Sequence, residues 1–183
     1  MTDNNNPQAW ESLCLTEPVL IHKIDKKSYW IISDDLDDRA REAVNLIFNN
    51  EDDLYSFWKI GSDQELSSVA MSINAGRGSL KEQIDFIWVA PEEIERIGIE
   101  LIPKLEGECF QSQKLHYDAI LNKSLALELC KYLMSADDGG SHQDSGRVLR
   151  LKKGKMKRIA AYMESKACRV FLLPETDCEC IKI

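Results

Sequence analysis

Leu54-Tyr-Ser-Phe-Trp-Lys-Ile60, then Gly61 and Ser62-Asp-Gln-Glu65, then Ile84-Asp-Phe-Ile-Trp-Val89, is the stretch on which the fold turns. The first and last runs are rich in β-branched and aromatic residues, the composition of strands. Gly61 breaks the chain between them. Ser62-x-x-Glu65 is a capping box, in which the hydroxyl accepts from the N–H three residues on and the carboxylate reaches back. Leu66, Val69, Ala70 and Ile73 then recur at helical spacing and define one buried face. Strand, helix, strand is therefore the unit. Ile84–Val89 is apolar on both sides except at Asp85, which reads as a central strand covered on both faces.

The same alternation extends outward. Val19–Ile24, a polar turn at Asp25-Lys-Lys27, and Tyr29–Ile32 read as a β-hairpin. Leu36, Ala40, Ala43, Val44 and Ile47 form a helical face behind Ser33-Asp-Asp35. Pro91-Glu-Glu93 opens a short helix with Ile94 and Ile97 inward. Ile99–Ile102 reads as a strand, whereas Lys114–Leu121 fits either strand or helix. Residues 122–136 form a helix with Leu125, Ala126, Leu129, Cys130, Leu133 and Met134 on one side. Val148–Leu151 reads as extended, 155–167 as an amphipathic helix and Cys168–Leu173 as a last strand.

Strands alternating with helices predict βαβ units. The expected architecture is an α/β or α+β domain with a mixed, partly parallel sheet, a leading antiparallel hairpin and helices packed on it. Residues 1–16 read as a weakly ordered lead-in and 17–183 as a single domain. Within it, Asp137–Gly146, dense in Gly, Asp and Ser, reads as a flexible loop.

The 183 residues carry 23 Lys and Arg against 31 Asp and Glu, a net charge of −8, with 44% hydrophobic residues. That is an ordinary globular mixture. No run of about 18 apolar residues exists, so a membrane-spanning helix is not expected. The polar start lacks early basic residues and an apolar stretch of signal length, which points to the cytoplasm. There the six cysteines are expected as free thiols; Cys178 and Cys180 are the one close pair, too few for a zinc site.

The charge is unevenly spread. Residues 147–169 hold nine basic residues and one acid, a balance of +8, while residues 1–146 balance to −14. Arg147, Arg150, Lys152, Lys153, Lys155, Lys157 and Arg158 are therefore the candidate polyanion or partner-binding residues. Such a stripe suits a complementary partner protein or a phosphate backbone; the plainer reading is a solvated face, or one lying against the chain's own acidic surface or that of a second copy. No aromatic residue is interleaved with it before Tyr162, so a stacking platform for single strands is not indicated.

Acidic residues also follow the ends of three predicted strands. Asp34, Asp35, Asp63, Glu92 and Glu93 would meet at one sheet edge if those strands were parallel. Gathered carboxylates would hold Mg²⁺ and serve phosphoryl chemistry. Each also sits at a predicted helix start, where an acid caps free N–H groups.

Gly76-Arg-Gly-Ser79 follows a helix rather than a strand, and so reads as a turn rather than a phosphate loop. His22 lies among apolar strand residues and reads as structural. Neither His116 nor His142 stands beside a marked nucleophile. The expectation is a cytoplasmic, non-catalytic interaction or regulatory protein without a cofactor. A nucleic-acid-associated protein using 147–158 is the second reading, and a Mg²⁺-dependent hydrolase or phosphotransferase the third.

Overall fold

The computed structural model describes residues 17–24, 35–74, 83–105, 110–135 and 147–165. Six strands and six helices follow one another: β1 Val19–Ile24, α1 Leu36–Ile47, β2 Leu54–Ile60, α2 Asp63–Asn74, β3 Gln83–Val89 and α3 Pro91–Ile97. They continue as β4 Glu100–Pro103, α4 Phe110–Gln113, β5 His116–Ile120, α5 Lys123–Ser135, β6 Val148–Lys152 and α6 Lys153–Ser165. The strands form one sheet in the order β4-β5-β2-β1-β3-β6.

Every neighbouring pair in that sheet is antiparallel. The fold is α+β, and the partly parallel sheet expected from the strand–helix alternation is corrected. The reason is the place of β1. It lies between β2 and β3 and runs against both. The two strands joined by α2 therefore do point the same way, as a βαβ unit requires, but β1 is inserted between them. The expected leading hairpin at a sheet edge is corrected as well. Val19–Ile24 is a central strand, and its expected mate Tyr29–Ile32 lies outside the described residues.

Strand alternation sends successive side chains to opposite faces, and both faces are covered. On one, Val19, Ile21, Ile60, Ile84, Phe86, Leu149 and Leu151 pack with Leu66, Val69, Ala70 and Met71 of α2 and Met156 and Ile159 of α6. On the other, Leu20, Ile24, Tyr55, Phe57, Ile87, Val89 and Ala119 pack with Ala40, Ala43 and Val44 of α1. Ile94 of α3 and Ala126, Leu129, Cys130, Leu133 and Met134 of α5 complete that layer. The helical faces read for α1, α2, α3 and α5 are found against the sheet, as are Met156 and Ile159 of α6, while residues 166–167 of the expected last helix lie outside the described residues. Within Lys114–Leu121 the structure forms strand β5, His116–Ile120.

The helix ends follow their local chemistry. Asp35 caps α1 by accepting from the Asp38 N–H at 2.9 Å. The capping box of α2 closes through Glu65 N–H donating to Ser62 Oγ at 3.3 Å and Gly61 N–H donating to Glu65 Oε2 at 2.6 Å. Gly98 ends α3 in the left-handed region at φ 84°, where a Cβ would be strained.

Candidate functional site

β6 is the last strand in the sheet order, and α6 begins at the residue after it. The inward residues of both, Leu149, Leu151, Met156 and Ile159, belong to the core. The basic segment is thus carried on a rigid strand–helix junction. Its seven candidate cations divide into two groups.

The two arginines at the strand turn inward. Arg150 meets Asp85 of β3 across the ladder, with Nε donating to Oδ1 at 2.8 Å and Nη2 to Oδ2 at 2.9 Å. Gln83 Nε2 donates to the same Oδ2 at 2.8 Å. The Asp85 side chain is 1% exposed and that of Arg150 33%. A buried carboxylate requires such a partner, and the planar guanidinium supplies two parallel donors. Arg147 lies over two rings, 4.1 Å from the Tyr132 centroid and 5.1 Å from that of Trp88. Burial raises the Tyr132 hydroxyl pKa above its ordinary value, against the opposing pull of the Arg147 charge. Both arginines thus serve the fold, contrary to the open stripe expected along the whole segment.

The remaining cations face outward. Lys152, Lys153, Lys157 and Arg158 are exposed, and Lys155 is half-buried. Lys153 and Lys157 are four residues apart on α6, so they share one side of the helix. Among the described residues, exposed Lys152, Lys157 and Arg158 take part in no ion pair.

The acidic set expected at strand ends is dispersed. Asp35 caps α1, Asp63 stands in the first turn of α2, and Glu92 and Glu93 stand in the first turn of α3. Glu93 accepts from Arg96 Nε at 2.6 Å. Asp34 lies outside the described residues. Among the described residues no three His, Cys, Asp or Glu side chains gather as a metal site would require. The inserted strand β1 is the physical reason for Asp63 and the Glu92–Glu93 pair, because it holds the ends of β2 and β3 two strand spacings, about 10 Å, apart.

Two histidines are built into the fold. His22 is stacked between Phe48 and Phe57, with ring centroids 5.3 and 5.0 Å away, and its Nδ1 bonds the Ser56 carbonyl oxygen at 2.8 Å. A carbonyl oxygen only accepts, so Nδ1 carries the hydrogen. This is the structural histidine read from its apolar neighbours. His116 bonds the Lys104 carbonyl through Nδ1 at 3.1 Å, and its Nε2 stands 3.7 Å from Asp118 Oδ1. Lys104 Nζ holds the other Asp118 oxygen at 2.9 Å. His142, Gly76–Ser79, the loop 137–146 and the strand 168–173 lie outside the described residues.

A hollow of about 280 Å³ opens between α3 and the sheet, lined by Leu20, Ile94, Ile99, Leu101, Lys59 and Tyr117 among others. No candidate residue from the sequence lines it. Sequence reasoning also missed the Arg147–Tyr132 stack and the acids Glu51, Asp52 and Glu100. Asp85 did carry a signal: one carboxylate in an otherwise apolar strand must find a cation. Among the described residues, no helix is long and apolar enough to cross a membrane.

No family model matches this chain, and no curated protein or solved structure matches it.

Proposed function

We propose that this chain is a non-catalytic binding protein that docks an acidic protein surface on the β6–α6 junction. The observation that carries the reading is the exposure of Lys152, Lys157 and Arg158, without ion pairs, on elements anchored in the core. Cations held this way need little rearrangement before they meet carboxylates. Each exposed pair adds only about 0.2–1 kcal/mol. The patch therefore steers encounter and selects charge more than it sets affinity.

An acidic protein fits better than a nucleic acid. Arg147 already lies over one face of Trp88 and one of Tyr132, which leaves less ring surface for stacking bases there. Outside the segment the chain is strongly acidic, and it would repel a long polyanion wherever the two ran together.

The test is binding of poly-L-glutamate to the full chain at low and high salt, with duplex DNA as the comparison. Poly-L-glutamate is expected to bind at about 50 mM salt, where screening is weak. The triple variant Lys152→Glu, Lys157→Glu, Arg158→Glu is expected to lose that binding. No binding at low salt, or binding that ignores the triple substitution, overturns the reading. Tighter, steeply salt-dependent binding of DNA through the same residues replaces it with the nucleic-acid one.

A further inference from the structure

We propose that the acidic surface taken by the β6–α6 patch is that of a second copy of this chain, in a two-fold dimer. The inference rests on the reading above and names its partner. It comes from the strand registers. Arg150 is opposite Asp85, and Asp85 is opposite Ile24. Carrying the β1–β2 register on from Ile21↔Trp58 brings Ile24 level with Tyr55, which is opposite Ala119, itself opposite Leu101. The next row runs from Leu151 and Ile84 on one side to Leu54, Ile120 and Glu100 on the other. Lys152 and Glu100 thus lie at the same end of the sheet, on its two outermost strands. Five strand spacings, about 24 Å, separate them.

Among the described residues that end is basic at one side and mainly acidic at the other, where the exposed Lys123 at the start of α5 stands beside the acids. Lys152, Lys157 and Arg158 stand at the β6 side. Glu51 and Asp52, in the turn leading into β2, and Glu100, at the start of β4, stand at the other. All six side chains are exposed, and among the described residues none takes part in an ion pair. Asp37, Asp38 and Glu93 are matched by Lys131, Arg41 and Arg96, whereas exposed Glu92 and Glu95 and half-buried Glu42 are, like the patch acids, without an ion pair among the described residues. Ile120, 36% exposed, sits in the acidic row and adds an apolar contact.

A chain with one positive and one negative patch at the same end is complementary to itself. Turned by a two-fold axis through that end, one copy sets its cations on the other's acids, and the reverse contact forms at once. Both contacts close together, so assembly stops at the dimer rather than growing into a fibre.

Sedimentation velocity on the full chain tests this. A dimer is expected at about 50 mM salt and a monomer at about 0.5 M, where the screening length falls to about 4 Å. Lys152→Glu, Lys157→Glu, Arg158→Glu is expected to weaken dimerisation at least about tenfold, as is Glu51→Lys, Asp52→Lys, Glu100→Lys. Mixing the two triple variants restores a dimer, because one is then negative at both patches and the other positive. All six positions are exposed, and circular dichroism on each variant checks the fold. A monomer at low salt, a dimer indifferent to salt and to both variants, or a mixture that stays monomeric overturns the inference. A monomeric chain that still binds poly-L-glutamate through Lys152, Lys157 and Arg158 overturns the second copy alone and leaves a different acidic partner. Loss of that binding as well overturns the docking reading itself.

Discussion

Arg150 on β6 and Asp85 on β3 are bound face to face by two parallel hydrogen bonds, and this pair fixes the outermost strand to the rest of the sheet. Its two members are unequally buried, so removing them has unequal consequences. Arg150→Leu leaves a buried carboxylate with Gln83 as its remaining side-chain donor among the bonds described. The expected loss is about 3 kcal/mol, near the lower end for a broken buried pair because the arginine is a third exposed. Replacing both, Asp85→Leu with Arg150→Leu, is expected to cost less than Arg150→Leu alone, since no charge is then left buried. Urea denaturation of the three proteins decides it: a double variant less stable than Arg150→Leu contradicts the argument.

The α2 capping box gives a second stability prediction. Ser62 Oγ accepts from Glu65 N–H, and Glu65 accepts from Gly61 N–H. Ser62→Ala is expected to cost about 1 kcal/mol, and Ser62→Asp to restore most of it. Thermal melts of both variants check the order. Equal melting temperatures for the parent chain and Ser62→Ala would show the cap to be energetically idle.

That box was readable in the sequence because it is local: the residues that satisfy each other are three apart. The helical faces of α1, α2 and α5 were readable for the same reason, as periodicity alone decides which residues turn inward. Strand adjacency is not local. Leu54–Ile60 and Gln83–Val89 look like a parallel pair because a helix joins them, and nothing in their composition reveals that Val19–Ile24 slots between them. The basic segment shows the same limit. Its charge was plain, but Arg147 and Arg150 are drawn inward by Tyr132, Trp88 and Asp85, residues 15 to 65 positions away. The acids Glu51, Asp52 and Glu100 gain meaning only once the registers set them at the same sheet end as Lys152.

Cys130 tests the packing of α5 against the sheet. The side chain is fully buried, and burial pushes its thiol pKa far above the ordinary value. The thiolate is the reactive form. Iodoacetamide is therefore expected to leave Cys130 unmodified in the folded chain and to label it fully in denaturant, read by peptide mass spectrometry. Rapid labelling of Cys130 under native conditions would mean that α5 opens readily from its layer. Cys130→Ser is expected to cost stability despite its similar size, because it places a hydroxyl in an apolar site.

Asp63 carries the expected pH dependence. Desolvation raises its carboxyl pKa above the ordinary 3.8 in the folded chain. The folded state thus holds this proton more tightly than the unfolded one does. The sign follows from linkage: the contribution of Asp63 to stability is complete below the ordinary carboxylate pKa and is lost as pH rises through the folded value. Asp63→Asn removes the titrating group while keeping a polar side chain in the first turn of α2. Relative to the parent chain, the variant is expected to gain stability between about pH 3 and pH 6. Urea midpoints for both proteins at the two ends of that range measure the difference. A relative gain for the variant on acidification, rather than on raising the pH, would show that the dipole at the start of α2 outweighs desolvation at this carboxylate.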